Sequence, residues 1–336
     1  MKPIAIVNHG PNDILDILYT ITTTCNYDCN YCTPGSKDGK YRFPDYDLLV
    51  KNLDHLLSIY KDKKRLIRIN LTGGEPTLWP RLGEFVQWCK TTHGCNVVMS
   101  SNGSRTLRWW HEYATYFDDI QISVHQEFCD VEHTKQVLDI IYEAGPLAAA
   151  QVLMDPNAWE QSMALMNNLI AHPTPWLVKA RVVMDIDDKH IRPEYTPEQL
   201  AYLEDKNKKM PPKEYVKRMI ETGKVHNPKK EDIKILMEDG TEESYTAFKV
   251  WSNEWHKFYG WECNLGVDRL VIQADGSIAG SCSVRYIFNQ PEPFNLFDPE
   301  FATKFTADVI TPTICKEVFC SGCSSDIELV KRKVNV

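Results

Sequence analysis

The chain has 336 residues, of which 43% are hydrophobic and 25% charged, and this composition is typical of a globular protein with one large or two moderate domains. It contains no long apolar run, and its first ten residues are too polar for a secretory signal, so we expect a cytoplasmic protein without a membrane partner. The formal net charge of -8 argues against a broad nucleic-acid-binding surface, because such a surface needs a basic face. Eleven cysteines in a chain without an export signal indicate metal binding or catalysis, since cytosolic thiols stay reduced.

The hydrophobic pattern predicts strands and helices that alternate regularly through the first half of the chain. The predicted strands are 16–23, 66–71, 96–100, 120–124, 148–154 and 177–184, and the predicted helices are 46–60, 80–91, 107–116, 131–144 and 159–170. Strict alternation implies a parallel sheet with right-handed crossovers. We therefore expect an α/β fold in which residues 1–185 form a partial (β/α)6 barrel, open on one side.

The composition changes after this region. From 186 to 259 charged residues crowd together and the apolar periodicity weakens, which indicates an insertion or linker with short helices and a hairpin that turns at Asp239-Gly240. A second hairpin signal turns at Asp275-Gly276. We expect residues 260–336 to form a small α+β domain that binds a metal cluster.

Three cysteines follow the first predicted strand with the spacing C-x3-C-x2-C, at Cys25, Cys29 and Cys32. Three thiolates so spaced can bind three irons of a cubane cluster and leave the fourth iron open to another ligand. They lie on the loop that leaves the carboxyl end of a strand, where α/β sheets and barrels place their active sites. A zinc loop with one more ligand elsewhere is the alternative.

The next predicted strand runs into Gly73-Gly74-Glu75-Pro76, and the two motifs together resemble the radical S-adenosylmethionine (SAM) superfamily. The resemblance implies that Cys25, Cys29 and Cys32 bind a [4Fe-4S] cluster whose open iron is chelated by SAM. It also implies that reductive cleavage of SAM gives a 5'-deoxyadenosyl radical, which abstracts hydrogen from an unactivated carbon. A one-electron reductant such as flavodoxin or ferredoxin is the implied partner.

The same resemblance assigns residues to SAM binding. Gly73 and Gly74 have no Cβ, so the backbone would come close to the methionine moiety. Glu75 would accept a hydrogen bond from the SAM amino group, and Pro76 would fix the turn. Tyr31, before the last cysteine of the loop, would lie near the adenine, and a packing role is its alternative.

Polar residues at other strand ends give weaker signals. Ser101 and Asn102 end the third strand, while Ser123 and His125 end the fourth. In similar proteins, polar residues at such points contact the ribose or the methionine carboxylate. Arg181, in the sixth strand, would hold that carboxylate bidentately, with a surface charge as the alternative. A capping role is the alternative for Ser101 and Asn102.

Cys129 lies on the loop after the fourth strand, at the rim where we expect the active site. A hydrogen-atom donor at this place would suit an epimerisation. A small structural residue is the alternative.

Four cysteines near the C-terminal end are placed to ligate a second, auxiliary [4Fe-4S] cluster, and they are Cys263, Cys282, Cys320 and Cys323. The arrangement is similar to the twitch, or truncated SPASM, extension of radical SAM enzymes. Five residues separate Gly276 from Cys282 where the family has four, and the seven or more cysteines of a full SPASM domain are absent, which favours one auxiliary cluster. A structural zinc site is the alternative, and Cys315 is either a replacement ligand or a free thiol.

Among proteins with this extension, oxidation, crosslinking or epimerisation of a peptide or protein side chain is the most frequent activity, and the resemblance implies it here. About fifteen residues precede the first barrel strand, so we expect no separate leader-binding domain of the kind that many peptide maturases carry. The alternative activity is oxidation or epimerisation of a polar small molecule, such as an aminosugar or nucleotide derivative. A non-catalytic iron–sulfur scaffold is the third hypothesis, and the intact Gly-Gly-Glu-Pro motif argues against it.

Overall fold

A computed structural model describes residues 2–7, 14–32, 34–64, 66–183, 194–208, 217, 232–246, 250, 253, 255–279, 294–316 and 330–333. Its strands are β1 Pro3–Ile6, β2 Ile14–Thr22, β3 Leu66–Gly73, β4 Asn96–Ser101, β5 Asp119–Val124, β6 Leu147–Met154, β7 Leu177–Val182, β8 Asp232–Met237, β9 Glu242–Thr246, β10 Trp261–Cys263, β11 Arg269–Ile272, β12 Ile278–Ala279, β13 Thr313–Ile314 and β14 Lys331–Lys333. Its α-helices are α1 Tyr46–Lys61, α2 Leu82–His93, α3 Leu107–Tyr113, α4 Val131–Ala144, α5 Trp159–Ile170, α6 Pro197–Lys208 and α7 Phe301–Lys304.

The alternation of strands and helices from β2 to β7 confirms the predicted α/β fold with a parallel sheet. Helices α4 and α5 have the predicted bounds. The predicted helix at 107–116 was too long, because its α-helical part ends at Tyr113 and residues 114–116 form a 3-10 turn. Helix α2 starts at Leu82, two residues later than predicted, because Pro76–Leu78 first makes a separate 3-10 turn.

The chain divides into two compact units. The first contains Met1–Tyr19, Asp45–Ile69 and His226–Val336, and the second contains Thr20–Pro44 and Asn70–Val225. Strands β2 and β3 each begin in the first unit and end in the second. The boundaries at 185 and 259 that the composition suggests stay a prediction.

The second unit contains the carboxyl ends of β2 and β3, followed in the sheet by β4, β5, β6 and β7. Strands β4 to β7 pair in parallel and in register, so residues on neighbouring strands share a face. Helices α4 and α5 contact β5, β6 and β7. One face of these strands therefore packs under the helices and buries a row of apolar side chains, which are Ile120, Ile122, Val124, Ala148, Ala150, Val152, Met154 and Ala180.

The opposite side of the same strands is polar toward their carboxyl ends. We call it the open face and define it by Gln121, Ser123, Gln151, Lys179 and Arg181, which alternate with the buried row and are half-buried or exposed. The register places Ser123 beside Gln151 and Gln151 beside Lys179. Toward the amino ends the same side is closed by a small apolar cluster of Leu147, Ala149 and Leu177. The sheet therefore offers a polar surface directly below the strand ends.

Helices of both units begin at acidic caps. The Asp45 side chain accepts a hydrogen bond from the Leu48 N–H at the start of α1, and Asp130 accepts one from the His133 N–H at the start of α4. Such caps satisfy backbone donors that have no partner within the helix. Helix α2 ends at Gly94, whose φ of 64° is the left-handed conformation that glycine adopts without steric cost.

The first unit is built on an antiparallel sheet with the strand order β13-β10-β14-β1-β8-β9. Strands β8 and β9 form the predicted hairpin at Asp239-Gly240, and β11 and β12 form the predicted hairpin at Asp275-Gly276. The sequence did not predict that β1 pairs with both β8 and β14. Both β8 and β14 follow β1 by more than two hundred residues along the chain, so no local sequence pattern indicates the pairing.

No helix among the described residues is both long and apolar enough to cross a membrane.

Candidate active site

The loop that carries Cys25, Cys29 and Cys32 leaves the carboxyl end of β2 and is hydrogen-bonded to the end of β3. The Gly74 N–H donates to the Thr22 carbonyl at 2.8 Å, and the Glu75 N–H donates to the Thr24 carbonyl at 2.8 Å. These two bonds continue the sheet one step beyond the last regular strand residues. They place the Gly-Gly-Glu-Pro segment against the residues that precede Cys25.

The two glycines are required by this contact. A Cβ on Gly73 would lie 2.4 Å from the Thr22 carbonyl oxygen, and Gly73 also has a φ of 131°. A Cβ on Gly74 would lie 2.2 Å from the Thr24 carbonyl oxygen. Both approaches are far inside van der Waals contact, so any larger residue must displace the backbone of the cysteine loop. The structure thus gives the glycines a packing reason besides the predicted closeness to methionine.

Glu75 is fully buried and joins the ends of β3 and β4. Its Oε1 accepts hydrogen bonds from the Thr77 N–H at 2.9 Å, the Thr77 hydroxyl at 2.6 Å and the Ser101 hydroxyl at 2.8 Å. Its Oε2 accepts one bond, from the Asn102 N–H at 2.6 Å. Burial raises the pKa of the carboxyl, and the hydrogen bonds oppose that rise. Since Oε2 has one bond from a described residue, it keeps capacity for a further donor.

Asn26, between the first two cysteines of the motif, ties the loop to the end of β4. Its carbonyl oxygen accepts from the Asn102 side-chain amide at 2.9 Å, and its own amide donates to the Ser104 hydroxyl at 3.0 Å. The Asn102 carbonyl oxygen in turn accepts from the Ser104 N–H at 3.0 Å. Ser101 and Asn102 therefore hold neighbouring loops in place, and their predicted contacts with SAM stay predictions.

His125, at the end of β5, contacts two residues of the cysteine loop. Its Nδ1 lies 2.8 Å from the Tyr31 hydroxyl oxygen and 3.4 Å from the Cys29 sulfur. The Tyr31 and His125 rings are stacked, with centroids 5.8 Å apart and an angle of 15° between their planes. Burial lowers the pKa of His125 to about 4, so the ring is neutral near pH 7.

The three thiols of the loop lie in a partly desolvated setting. Burial raises the pKa of Cys29 to about 12, and it also raises the pKa of Cys25 and of Cys32. For Cys32 the nearby Lys37 ammonium opposes the rise. Binding iron would therefore release the thiol protons, because only thiolates ligate a metal.

The residues present fit a cubane cluster. Among the described residues, no three His, Cys, Asp or Glu side chains converge as a single-ion site requires. A cubane binds each thiolate through a different iron, so it needs no such convergence. Two buried polar atoms near the loop, the Thr24 hydroxyl oxygen and the Gln126 side-chain carbonyl oxygen, have no hydrogen-bond partner in the described part of the chain. Unsatisfied buried groups of this kind are expected where a bound group supplies the missing partner.

Three further predicted residues lie in the same unit. Ser123 and Arg181 are on the open face, and Arg181 is exposed on β7. Cys129 is half-buried, its N–H donates to the His125 carbonyl at 2.9 Å, and its sulfur lies 3.3 Å from the Thr134 hydroxyl. Pro76 opens the short 3-10 turn Pro76–Leu78, where its missing N–H is not needed. The roles assigned to these residues stay predictions.

The cysteines of the expected auxiliary cluster are described only in part. Cys282, Cys320 and Cys323 lie outside the described residues. Cys263 is buried in the first unit and faces Thr313 across the β10–β13 pair. The Cys315 N–H donates to the Trp261 carbonyl at 2.8 Å.

Two buried or half-buried thiols thus belong to neighbouring segments of one antiparallel sheet. Trp261 and Cys315 continue the register that pairs Cys263 with Thr313, so the side chains of all four lie on one face. Cys263 and Cys315 then occupy diagonal positions, for which the usual separation is about 7–8 Å between backbone positions. This arrangement suits the prediction that Cys315 can replace an auxiliary ligand.

Sequence reasoning gave His125 only a weak signal and missed Asn26, Gln126 and Lys179. Gln126 donates to the Asp155 carboxylate at 3.2 Å and links the ends of β5 and β6. Lys179 shares the open face with the predicted Arg181. The only available signal was their position at or near predicted strand ends, which also holds for many capping and surface residues.

Comparison with known proteins finds a family match for part of this core. Residues 19–145, a little more than a third of the chain, match the family described as the radical SAM superfamily. This segment contains the cysteine loop, the Gly-Gly-Glu-Pro motif and the ends of β4 and β5. The predicted resemblance to the radical SAM superfamily is thus confirmed for this segment of the chain.

Similar curated proteins are GTP 3',8-cyclases. The enzyme of Haemophilus ducreyi is 33% identical over 111 residues, which are 31% of this chain and 31% of that protein. The enzyme of Actinobacillus pleuropneumoniae is 30% identical over 142 residues, which are 37% of this chain and 40% of that protein. The chain thus matches less than half of the length of these relatives.

Solved structures share the fold at low sequence identity. Native anSMEcpe with bound AdoMet matches with a TM-score of 0.51 and 13% identity, covering 88% of this chain and 81% of that chain. Streptococcus suis SuiB matches with a TM-score of 0.50 and 15% identity, covering 91% of this chain and 67% of that chain. These matches support the α/β fold with its parallel sheet.

The close approach at Gly74 gives a testable prediction. We expect Gly74→Ala to take up about four fewer irons per chain on anaerobic reconstitution, because the added Cβ displaces the Thr24–Cys25 backbone. Iron analysis of the purified, reconstituted protein measures this. The matched control is Gly35→Ala, on the same loop, whose Cβ would have nothing within 4 Å. Equal iron in Gly74→Ala and the unmodified protein would show that the contact is not needed for the cluster.

Proposed function

We propose that this chain reductively cleaves SAM and uses the resulting 5'-deoxyadenosyl radical to abstract hydrogen from an unactivated carbon of its substrate. The observation that carries the proposal is the pair of backbone hydrogen bonds between the cysteine loop and Gly74-Glu75. These hydrogen bonds hold the three-thiol loop next to the Gly-Gly-Glu-Pro motif at the carboxyl ends of parallel strands. That is the usual place for an active site in α/β folds.

The residues of this chain have separate tasks in the proposed site. Cys25, Cys29 and Cys32 would hold a [4Fe-4S] cluster that, when bound, supplies the electron for SAM cleavage, and an external donor such as flavodoxin or ferredoxin would reduce it. The free capacity of Glu75 Oε2 suits a donor such as the SAM amino group. Arg181 is exposed on the open face, where its guanidinium can donate two parallel hydrogen bonds to a carboxylate.

Formation of 5'-deoxyadenosine tests this proposal directly. We expect the reconstituted protein, given SAM and dithionite without oxygen, to form 5'-deoxyadenosine and methionine, and Cys29→Ala to form at least about a hundredfold less, since two thiolates cannot hold the cluster in place. Chromatography of the quenched reaction measures both products. If Cys29→Ala and the unmodified protein behave alike, the scaffold hypothesis replaces the enzyme.

We also propose an auxiliary [4Fe-4S] cluster, ligated by Cys263 together with Cys282, Cys320 and Cys323, in which Cys315 can replace one ligand. The described part of this set is the pair of thiols on one face of the antiparallel sheet of the first unit. A zinc ion bound by the same thiolates is the competing occupant, because both metals accept four sulfur ligands.

Metal analysis separates these two occupants. We expect about eight irons and eight sulfides per reconstituted chain, and about four of each in Cys263→Ala, because each cubane holds four irons. Cys315→Ala shows whether that thiol is a ligand, since its iron content will then fall as well. About four irons with one equivalent of zinc in the unmodified protein would replace the auxiliary cluster by a zinc site.

For the substrate, we propose modification of a peptide or protein side chain, in keeping with the similarity of the C-terminal cysteine arrangement to twitch and SPASM extensions. Two observations favour a second candidate, a polar small molecule with an anionic group, such as a nucleotide derivative. Lys179 and Arg181 lie on the open face and have no ion-pair partner within the part of the chain that the structure describes. The matching stretch of the chain is also similar to enzymes named GTP 3',8-cyclase.

The two candidates differ in how they depend on Lys179. If the substrate is an anionic nucleotide, we expect GTP to increase the rate of 5'-deoxyadenosine formation about tenfold, and guanosine, which lacks the phosphates, to have little effect. Lys179→Met should lose most of this stimulation, because an anion on the open face then lacks its cationic partner. The rates are measured at matched SAM concentration.

Lys135→Met is the matched control, because Lys135 pairs with Glu132 on the surface of α4. Stimulation by GTP that is equal in Lys179→Met and the unmodified protein would remove Lys179 from the site. No stimulation by GTP would leave the peptide candidate.

A further inference from the structure

His125 stands out because its ring is held in place on several sides. Its face stacks on Tyr31, and its edge meets the Tyr27 ring at 86° with centroids 6.0 Å apart. Tyr27 is itself stacked on Phe128, with centroids 5.0 Å apart. The backbone is fixed as well, since the His125 carbonyl accepts from the Phe128 N–H at 3.1 Å and from the Cys129 N–H at 2.9 Å.

Within the described part of the chain, the ring makes its polar contacts through Nδ1, and they lead to the cysteine loop. Nδ1 lies 2.8 Å from the Tyr31 oxygen and 3.4 Å from the Cys29 sulfur. An imidazole ring carries a proton on one or both of its nitrogens, so Nδ1 can be a donor. A metal-bound thiolate can only accept a hydrogen bond, so a Cys29 thiolate favours the tautomer with the proton on Nδ1. That N–H is then within hydrogen-bonding distance of the tyrosine oxygen and of the sulfur, and the Tyr31 hydroxyl is also hydrogen-bonded to this sulfur.

A hydrogen bond to a cluster sulfur changes the energetics of electron uptake. It withdraws charge from the sulfur, so it stabilises the reduced cluster, which is more negative by one charge, more than the oxidised one. The protein's contribution to a cluster potential includes such bonds to the ligand sulfurs, and they act without any contact to the substrate.

We propose that His125 is a positioning residue that donates a hydrogen bond from Nδ1 to the Cys29 sulfur and thereby raises the reduction potential of the cluster on the cysteine loop. The inference rests on the proposed function in one respect, that Cys29 ligates this cluster. It goes beyond it by giving a histidine outside both sequence motifs a defined effect on the ease of reduction. Tyr31 and Tyr27 hold the His125 ring in place, so its Nδ1 can stay in contact with the Cys29 sulfur.

The test compares variants of His125 by potentiometric titration followed by electron paramagnetic resonance, in the absence of SAM. His125→Phe keeps an aromatic ring against Tyr31 but has no N–H. We expect its equilibrium constant for one-electron reduction to fall about tenfold, a shift of about 59 mV to more negative potential. His125→Asn carries an amide close to the position of Nδ1, and we expect it to restore most of the loss. These titrations use the full chain with Cys263→Ala in every variant, so that one cluster is observed.

His172→Phe is the matched control. His172 stacks on Trp176, with centroids 4.1 Å apart, between α5 and β7 and so at the rim opposite the strand carboxyl ends. We expect it to leave the potential unchanged. A second measurement needs no variant at His125: with 15N-labelled histidine, the reduced cluster should show a hyperfine coupling to a histidine nitrogen.

Each outcome decides the proposal. A lower potential in His125→Phe, recovery in His125→Asn and a histidine nitrogen coupling support it. An unchanged potential in His125→Phe overturns it, and so does an equal shift in both variants. If His125→Phe does not assemble a cluster, the nitrogen coupling decides, and its absence overturns the proposal. Failure of the proposed function looks different, because the parent protein itself would then bind no cluster.

Discussion

The buried carboxylate of Glu75 is the interaction on which the arrangement of the site depends. A buried charge is costly, and here four hydrogen bonds from Thr77, Ser101 and Asn102 offset much of that cost. The effect of burial on the pKa of the carboxyl is larger than that of the hydrogen bonds, so this pKa is raised. The proposed SAM amino group would act in the opposite direction, since a nearby cation favours the ionised carboxylate. Binding of SAM and the charge on Glu75 would then support each other.

The same carboxylate sets the relative positions of two strand ends. Ser101 and Asn102 end β4, and Asn102 also bonds Asn26 of the cysteine loop. The loop is therefore fixed from two sides, by the backbone of β3 and by the polar residues after β4. A loop fixed in this way would hold the three thiolates of the proposed cluster in place without a fourth protein ligand.

Much of this organisation could be predicted from sequence, because it depends on patterns among residues that are close together along the chain. The apolar periodicity of α4 and α5 gave their bounds, and the alternation of strands and helices gave the parallel sheet. The spacing of three cysteines and the Gly-Gly-Glu-Pro motif predict the location of the candidate site, where the structure brings both motifs together. The packing of Gly73 and Gly74 on the cysteine-loop backbone was not predictable. A glycine in the sequence indicates that another group can come close to the backbone, but it does not indicate which group.

Other features depend on contacts between distant residues. His125 and Tyr31 are 94 positions apart, and neither residue type alone indicates the other. The polar open face was also hidden, since Gln121, Gln151 and Lys179 become neighbours only through the register of β5, β6 and β7. The helix-covered face of the same strands was easier to predict, because apolar side chains recur there at every second position.

The two units differ in the order in which a growing chain can form them. Most of the second unit, from Asn70 onward, is continuous in sequence, and its strands pair with their nearest neighbours along the chain. The sheet of the first unit is different, because β1 lies between β8 and β14 and cannot pair until both strands have been synthesised. Contacts of such long sequence separation form slowly, since the intervening loop must first be closed. The cysteine loop and the strand ends that hold it can thus be in place during synthesis, while β1 still presents two unpaired edges to chaperones and to other chains.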